Sequence, residues 1–164
     1  MDTDVVFDLM IHDLDLSMYL LHEERKLRKV SGLKNKTKKM LEHINVLYVT
    51  PSGTHINIIA SKVAGKSERK IYINTREEYI EADLINKKIN IVNSYGERME
   101  INCDGQEANK DAIESELIEF SNSILNNREP ICNIHDGYNA TILAEQIVEK
   151  YEEENESEQC KHVQ

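Results

Sequence analysis

The sequence predicts an α+β fold: a mostly antiparallel, open β-sheet with helices packed on one face. Three observations predict it. Between residues 41 and 103, runs such as "IYI", "INIV" and "MEI" place apolar side chains on every second position, the period of a strand with one covered face. The connections between these runs are short ("PSG", "AGKS", "NKK", "SYGE"), which suits an antiparallel meander, because parallel neighbours need a long crossover. Three other stretches repeat their apolar residues every three or four positions, and these are the helices that supply the covering layer.

The first of those helices is expected over residues 4–22, with Thr3 or Asp2 as cap. It carries Val5, Leu9, Leu16 and Leu20 on one side and Phe7, Ile11, Leu14, Met18 and Leu21 on another, so nearly all of it is expected to be buried. "EERKLRKVSGL" alternates loosely, and the basic "KNKTKK" at 34–39 reads as a solvated loop. Strands follow in "EHINVLYVT", "THINIIASKV", "RKIYINT", "EYIEADLI", "KINIVNS" and "RMEINC", five to seven being expected between residues 24 and 103. A helix over 111–127 directs Ile113, Leu117, Phe120, Ile124 and Leu125 to one side. After a loop broken at Pro130, a last helix packs Ala140, Leu143, Ala144, Ile147 and Val148, with Asp136 as its cap. Residues 1–152 are taken as one domain and the charged tail 153–164 as disordered.

Composition narrows the function classes. With 164 residues and 40% hydrophobic content, the chain can build one real core. A net charge of −10 argues against nucleic acid or an anionic membrane as partner, since both select for basic surface. The three cysteines, Cys103, Cys132 and Cys160, are far apart and odd in number, which fits a reducing cytoplasm better than a disulfide framework or zinc site. No apolar run reaches membrane-spanning length.

The first helix holds an anomaly. Within its apolar run Asp8, His12, Asp15 and Tyr19 recur at spacings of four, three and four, a polar stripe along one face. Asp13 and Ser17 form a shorter pair elsewhere. One reading is a satisfied Asp8–His12 ion pair with Asp15 at the surface. Another is a catalytic pair, because histidine is a natural proton acceptor near neutrality and a carboxylate one turn away can hold its ring. A metal site is a third, though two carboxylates and one histidine on one helix are weak support for it and no metal ligand is assigned.

These residues carry a resemblance. "DVVFDLMIHDLDL" resembles the D-x-x-x-H segment that opens the substrate-binding domain of the Gfo/Idh/MocA oxidoreductases. "INIIASKVAGKSERKIYINTREEYIEADL" is similar to the family's central strands, and "ELIEFSNSILNNREPICNIHDGYNATILAEQIVEK" to its closing helices, with E-P at Glu129–Pro130 and D-G at Asp136–Gly137. The three stretches occur in order over residues 4–150. Within the family, "DVVFDLMIHDLDL" and "ASKV" look most similar to bacterial nucleotide-sugar 3-dehydrogenases acting on UDP-N-acetylglucosamine. The resemblance implies the open sheet of the family's C-terminal domain, like that of glyceraldehyde-3-phosphate dehydrogenase. It implies that His12 takes the proton of a sugar hydroxyl while a hydride leaves the same carbon for a nicotinamide, and that Asp8 binds a sugar hydroxyl or orients His12.

The family's other parts find no match here. A glycine-rich turn at the first strand of a Rossmann domain and a lysine in an E-K-P segment are both missing from the sequence. The resemblance therefore implies that no cofactor is bound by this chain, that NAD or NADP serves the complete enzyme, and that the chain is inactive alone. Three roles compete: the substrate-binding half of a split enzyme with a separate Rossmann polypeptide, a truncated remnant, or a non-catalytic association module. Because "INIIASKV" and "KINIVNS" carry apolar residues on both parities, a homodimer through the sheet is the expected minimum assembly.

Overall fold

The computed structural model describes residues 3–103 and 111–161. A π-helical turn, Val6–Met10, leads into α1 (Ile11–Leu21). Seven strands follow: β1 (Lys26–Lys34), β2 (Leu41–Val49), β3 (His55–Ser61), β4 (Lys70–Asn74), β5 (Glu78–Asp83), β6 (Lys88–Asn93) and β7 (Arg98–Asn102). Two helices close the chain, α2 (Ala112–Leu125) and α3 (Ile134–Lys161). The α+β class and the antiparallel pairing are as the alternation predicts. The strands do not form one sheet, however. They divide into a three-stranded sheet, β1-β2-β3, and a four-stranded sheet, β4-β5-β6-β7. The break falls at residues 62–69, a polar connection too long for a tight hairpin, so β4 is not driven to pair with β3.

The chain forms two compact units, Met1–Ala64 with Cys132–Gln164, and Gly65–Ile131. In the first, pairs Val30↔Val46 and Gly32↔Ile44 align β1 on β2, while Ile56↔Tyr48, Ile58↔Val46 and Ala60↔Ile44 align β3. Paired residues share a face of an antiparallel sheet, so one face is continuously apolar. It packs with Val5, Val6, Met10 and Leu14 of the first helical segment and with Ala144, Ile147 and Tyr151 of α3 as one core. Each fully buried Leu, Ile or Val contributes about 1.5–3 kcal/mol, and this cluster holds the unit together.

The first helical segment is less buried than its composition suggests. Only Val5, Val6, Met10 and Leu14 are buried, while Phe7, Leu9, Tyr19 and Leu20 are 38%, 40%, 61% and 47% exposed. One sheet face and one helix offer cover on one side alone, so a single stripe is taken in. Its cap is not Thr3, and Asp2 lies outside the described residues. Asp4 Oδ1 accepts from Val6 N at 3.3 Å and its Oδ2 from Leu41 N at 3.2 Å, so one carboxylate starts the helix and ties it to β2.

The last helix also begins differently from the expectation. Asn133 is its cap, its Oδ1 accepting from His135 N at 2.8 Å, while Asp136 Oδ2 accepts from Asn133 N at 2.8 Å. This is a reciprocal capping box, with Asp136 three residues inside. The helix runs through residues 153–161, where the sequence suggests a disordered tail; residues 162–164 lie outside the described residues. Buried Tyr151, the Lys34–Glu152 ion pair and the i,i+4 pair Lys150–Glu154 carry it past residue 152.

In the second unit, register places Ile71, Ala82, Ile89 and Ile101 across one row and Ile73, Ile80, Ile91 and Met99 across the next, on the same face. The other face carries cross-strand charge pairs, Lys70 with Glu81 and Asp83 and Lys88 with Glu100, beside the stacked rings of Tyr72 and Tyr79. Helix α2, capped by the Asp111 side chain on Ile113 N, carries its expected apolar stripe, but that stripe does not enter a core. Ile113, Leu117, Phe120, Ile124 and Leu125 are all more than half exposed.

Two packing details generate tests. A Cβ on Gly32 would stand 2.5 Å from the His43 carbonyl and 3.3 Å from the Tyr151 ring. Gly32→Ala must push β1 off β2 or off α3, and urea unfolding is expected to show a loss of about 1–3 kcal/mol; unchanged stability would remove this close approach. Tyr48 is fully buried, and its hydroxyl has no hydrogen-bond partner among the described residues. Burial pushes its phenol well above the ordinary value, against a small opposing pull from Arg25. Tyr48→Phe removes an unsatisfied polar atom and nothing else, so it is expected to cost no stability and to add up to about 1 kcal/mol. A clear loss would mean that the hydroxyl is hydrogen-bonded.

Candidate functional site

The polar stripe lies on the sides of the first helical segment that the core leaves free. Asp8 sits inside the π-helical turn, which is closed by Ile11 N donating to Val6 O. Such turns are frequent at functional sites. His12 is exposed on the first turn of α1, Asp15 is half-buried and Tyr19 is 61% exposed. Tyr19 lies against His22, the left-handed residue that ends the helix, with ring centroids 6.1 Å apart. Of the second pair, Ser17 donates to the Leu14 carbonyl and accepts from Arg25, whose guanidinium docks on the helix end. Ser17 is thus structural.

The structure gives Asp8 a partner that the sequence analysis does not single out. Lys62, just beyond β3, places its ammonium 2.6 Å from Asp8 Oδ2 and 2.6 Å from the Thr3 carbonyl. Its own amide donates to the Glu42 carbonyl at 2.8 Å, extending the β2–β3 ladder by one residue. The signal available in the sequence was a lysine directly after an alternating strand, in "ASKV". Finding its partner required knowing that β3 runs back toward the start of the first helical segment.

Charges around the histidine differ in character. The hydrogen bond from Lys62 holds the Asp8 carboxyl below its ordinary range, with a smaller contribution from His12. Burial pushes Asp15 up, and the nearby Asp136 carboxylate adds to this, while His12 opposes it. His12 thus stands between an ionised carboxylate and one more easily protonated. An exposed imidazole so placed can accept a proton from a hydroxyl, and an ionised carboxylate can accept a hydrogen bond from another. Among the described residues no group of three or more His, Cys, Asp or Glu side chains is arranged to hold a metal ion. Nor is any helix among them long and apolar enough to cross a membrane.

No protein-family model matches the chain. Known proteins do. The chain is 28% identical over 153 residues to the UDP-N-acetylglucosamine 3-dehydrogenase of Acidithiobacillus ferrooxidans, a match covering 90% of this chain and 48% of that one. The solved structure of that enzyme superimposes with a TM-score of 0.82 over 92% of this chain and 48% of the enzyme. An aldose-aldose oxidoreductase from Caulobacter crescentus superimposes at 0.76, with 20% identity, over 92% of this chain and 46% of that one. A 3-ketoreductase from Actinomadura kijaniata, solved with TDP-benzene and NADP, does so at 0.78, with 8% identity, over 91% and 48%. These last two likenesses are of fold alone.

The chain spans about half the length of the relatives it matches. Over that half its sequence and fold are similar to those of a nucleotide-sugar dehydrogenase, and the resemblance to the Gfo/Idh/MocA oxidoreductases read from the D-x-x-x-H segment, the central strands and the closing helices is borne out.

Proposed function

We propose that this chain is the substrate-binding part of an NAD(P)-dependent oxidoreductase that converts a hydroxyl of a nucleotide sugar to a ketone. The observation that carries this reading is the joint match in sequence and fold to a UDP-N-acetylglucosamine 3-dehydrogenase, at 28% identity and a TM-score of 0.82. His12 accepts the proton of the hydroxyl being oxidised. Asp8, ionised, accepts a hydrogen bond from a sugar hydroxyl. The described residues do not fit a dinucleotide. Every strand pair among them is antiparallel, and they contain no glycine-rich turn leading from a strand into a helix. The nicotinamide pocket is therefore assigned to other residues. Cytoplasmic residence fits three cysteines that are odd in number and far apart in the sequence.

The 164-residue chain is expected to give no turnover of UDP-N-acetylglucosamine with NAD or NADP by itself, and to give it when joined by a dinucleotide-binding polypeptide. In that reconstituted enzyme His12→Ala should lower kcat by about a hundredfold to ten-thousandfold, the usual contribution of a general base. A variant retaining full kcat would remove His12 from the chemistry.

A second role rests on the four-stranded sheet. Eight apolar side chains occupy one face of β4–β7, and none of them is buried; Met99 is 57% and Ile101 40% exposed. Left in water, such a patch is an association surface. We assign it to a homodimer, sheet against sheet. Size-exclusion chromatography with light scattering should return twice the chain mass at micromolar concentration, and Ile80→Lys with Ile91→Lys should return one. A wild-type monomer at that concentration would overturn this assembly.

A further inference from the structure

We propose that Lys62 is a positioning residue of this site: anchored on the Thr3 carbonyl, its ammonium fixes the Asp8 carboxylate for a sugar hydroxyl and leaves proton transfer to His12. The inference rests on the oxidoreductase reading and adds a residue to it. It starts from the way Lys62 is tethered at both ends. Its amide is bonded into β2 through the Glu42 carbonyl at 2.8 Å, and its ammonium donates to Thr3 O and Asp8 Oδ2, each at 2.6 Å. A lysine ammonium has three donors, and two are spent on one group before the π-helical turn and one inside it. The side chain is only 26% exposed, while that of Asp8 is 50% exposed. The anchor is therefore the sheltered member of the pair, and the carboxylate is the one that reaches solvent.

The consequence is a division of labour. A charge-assisted bond to Oδ2 fixes the plane of the carboxylate. Its other oxygen carries no hydrogen bond from the described residues and is left as an acceptor. Unrestrained, an aspartate four residues before a histidine on a helix would be free to pair with the ring. Bound to Lys62, Asp8 is held toward the end of β3. The charged groups that bear on Asp8 among the described residues are Lys62, from the end of β3, and His12, from its own helix, with the lysine the larger influence. A surface ion pair by itself is worth little. What Lys62 adds is the second anchor on Thr3, which gives the pair a fixed place.

The test uses the whole chain, with carbon-13 labelled aspartate and three measurements. Asp8 should titrate below the ordinary carboxylate range in the wild type, return to it in Lys62→Met, and stay depressed in Lys62→Arg. Binding of UDP-N-acetylglucosamine should weaken about threefold to tenfold in Lys62→Met, with a new loss as pH falls through the restored Asp8 value. Lys62→Arg should recover most of that binding. In an Asp8→Asn background the Lys62→Met change should have no further effect on binding, because the two residues act as a unit. Should Lys62→Met fail to fold, potassium chloride titration of the wild type gives the same answer, since screening the pair must raise the Asp8 value. An Asp8 titration indifferent to both the variant and salt overturns the inference, as does a binding pH profile that Lys62→Met leaves unchanged. Failure of the wild-type chain to bind UDP-N-acetylglucosamine at any pH would instead sink the substrate assignment, and the Asp8 titration would show which of the two had failed.

Discussion

The first compact unit depends on how one helical segment divides its surface. Val5, Val6, Met10 and Leu14 enter the core, and everything else on that segment is released from core duty. Val6, Met10 and Leu14 are spaced by four, a spacing that drifts around a regular α-helix of 3.6 residues per turn. A π-helical turn closes one residue later. It therefore brings positions four apart closer into line, and Val6 and Met10 face the same sheet. With apolar contact collected on one stripe, Asp8 and His12 can occupy the exposed side of a segment whose overall composition looks like core. Packing thus permits the site without forming part of it.

Much of this was legible from residue spacing. The strands β2–β7 stand where alternation places them, because period two is a local property that tertiary packing seldom overrides when turns are short. Ala140, Ala144 and Ile147 are buried, as their spacing in α3 requires. What stayed hidden was set by long-range pairing. Nothing local in "SKVAGKSER" says that the ladder stops there and a second sheet begins. The exposed stripe of α2 has the same pattern as a buried one, so periodicity finds the apolar face but not its cover. The Asn133 cap was masked by Asp136, an equally good capping residue three positions on, and only hydrogen bonding separates the two roles. Lys62 was hidden most completely, since its partner lies 54 residues earlier in the chain.

The two sheets meet the demands of exposed strands differently. Strand β1 is an edge of the first sheet and carries Lys26, Arg28, Lys29 and Lys34, all exposed. Charged side chains along an edge discourage pairing with another chain. The loop after it adds Lys36, Lys38 and Lys39, organised by Asn35 Oδ1 accepting from Thr37 N and Lys38 N at 3.0 Å each. In the second sheet Lys70, Glu81, Asp83, Lys88 and Glu100 lie on one face as cross-strand pairs, and opposite charges across a ladder stabilise register. That leaves its other face without a single polar residue in the two central rows. Alternation in these rows gives the sheet a charged side and an apolar side, and a one-residue slip would exchange them.

The site's electrostatics follow from where its carboxylates stand relative to that packing. Asp8 and Asp15 are on one helical segment, seven residues apart, with His12 between them, yet their environments act in opposite directions. Asp8 faces solvent and an ammonium, so its charged form is favoured. Asp15 is partly withdrawn from water and stands near the Asp136 carboxylate, so its charged form is disfavoured. As pH falls, Asp15 therefore takes up a proton before Asp8 does. The two carboxylates cannot exchange roles: Asp8 is suited to accept hydrogen bonds, while Asp15 owes its character to burial and to the nearby Asp136 carboxylate. Separation of this kind, produced by neighbours rather than by residue type, distinguishes acid, base and acceptor among chemically identical groups. Here it arises from one lysine at the end of β3 beside Asp8, and from burial near the Asp136 carboxylate for Asp15.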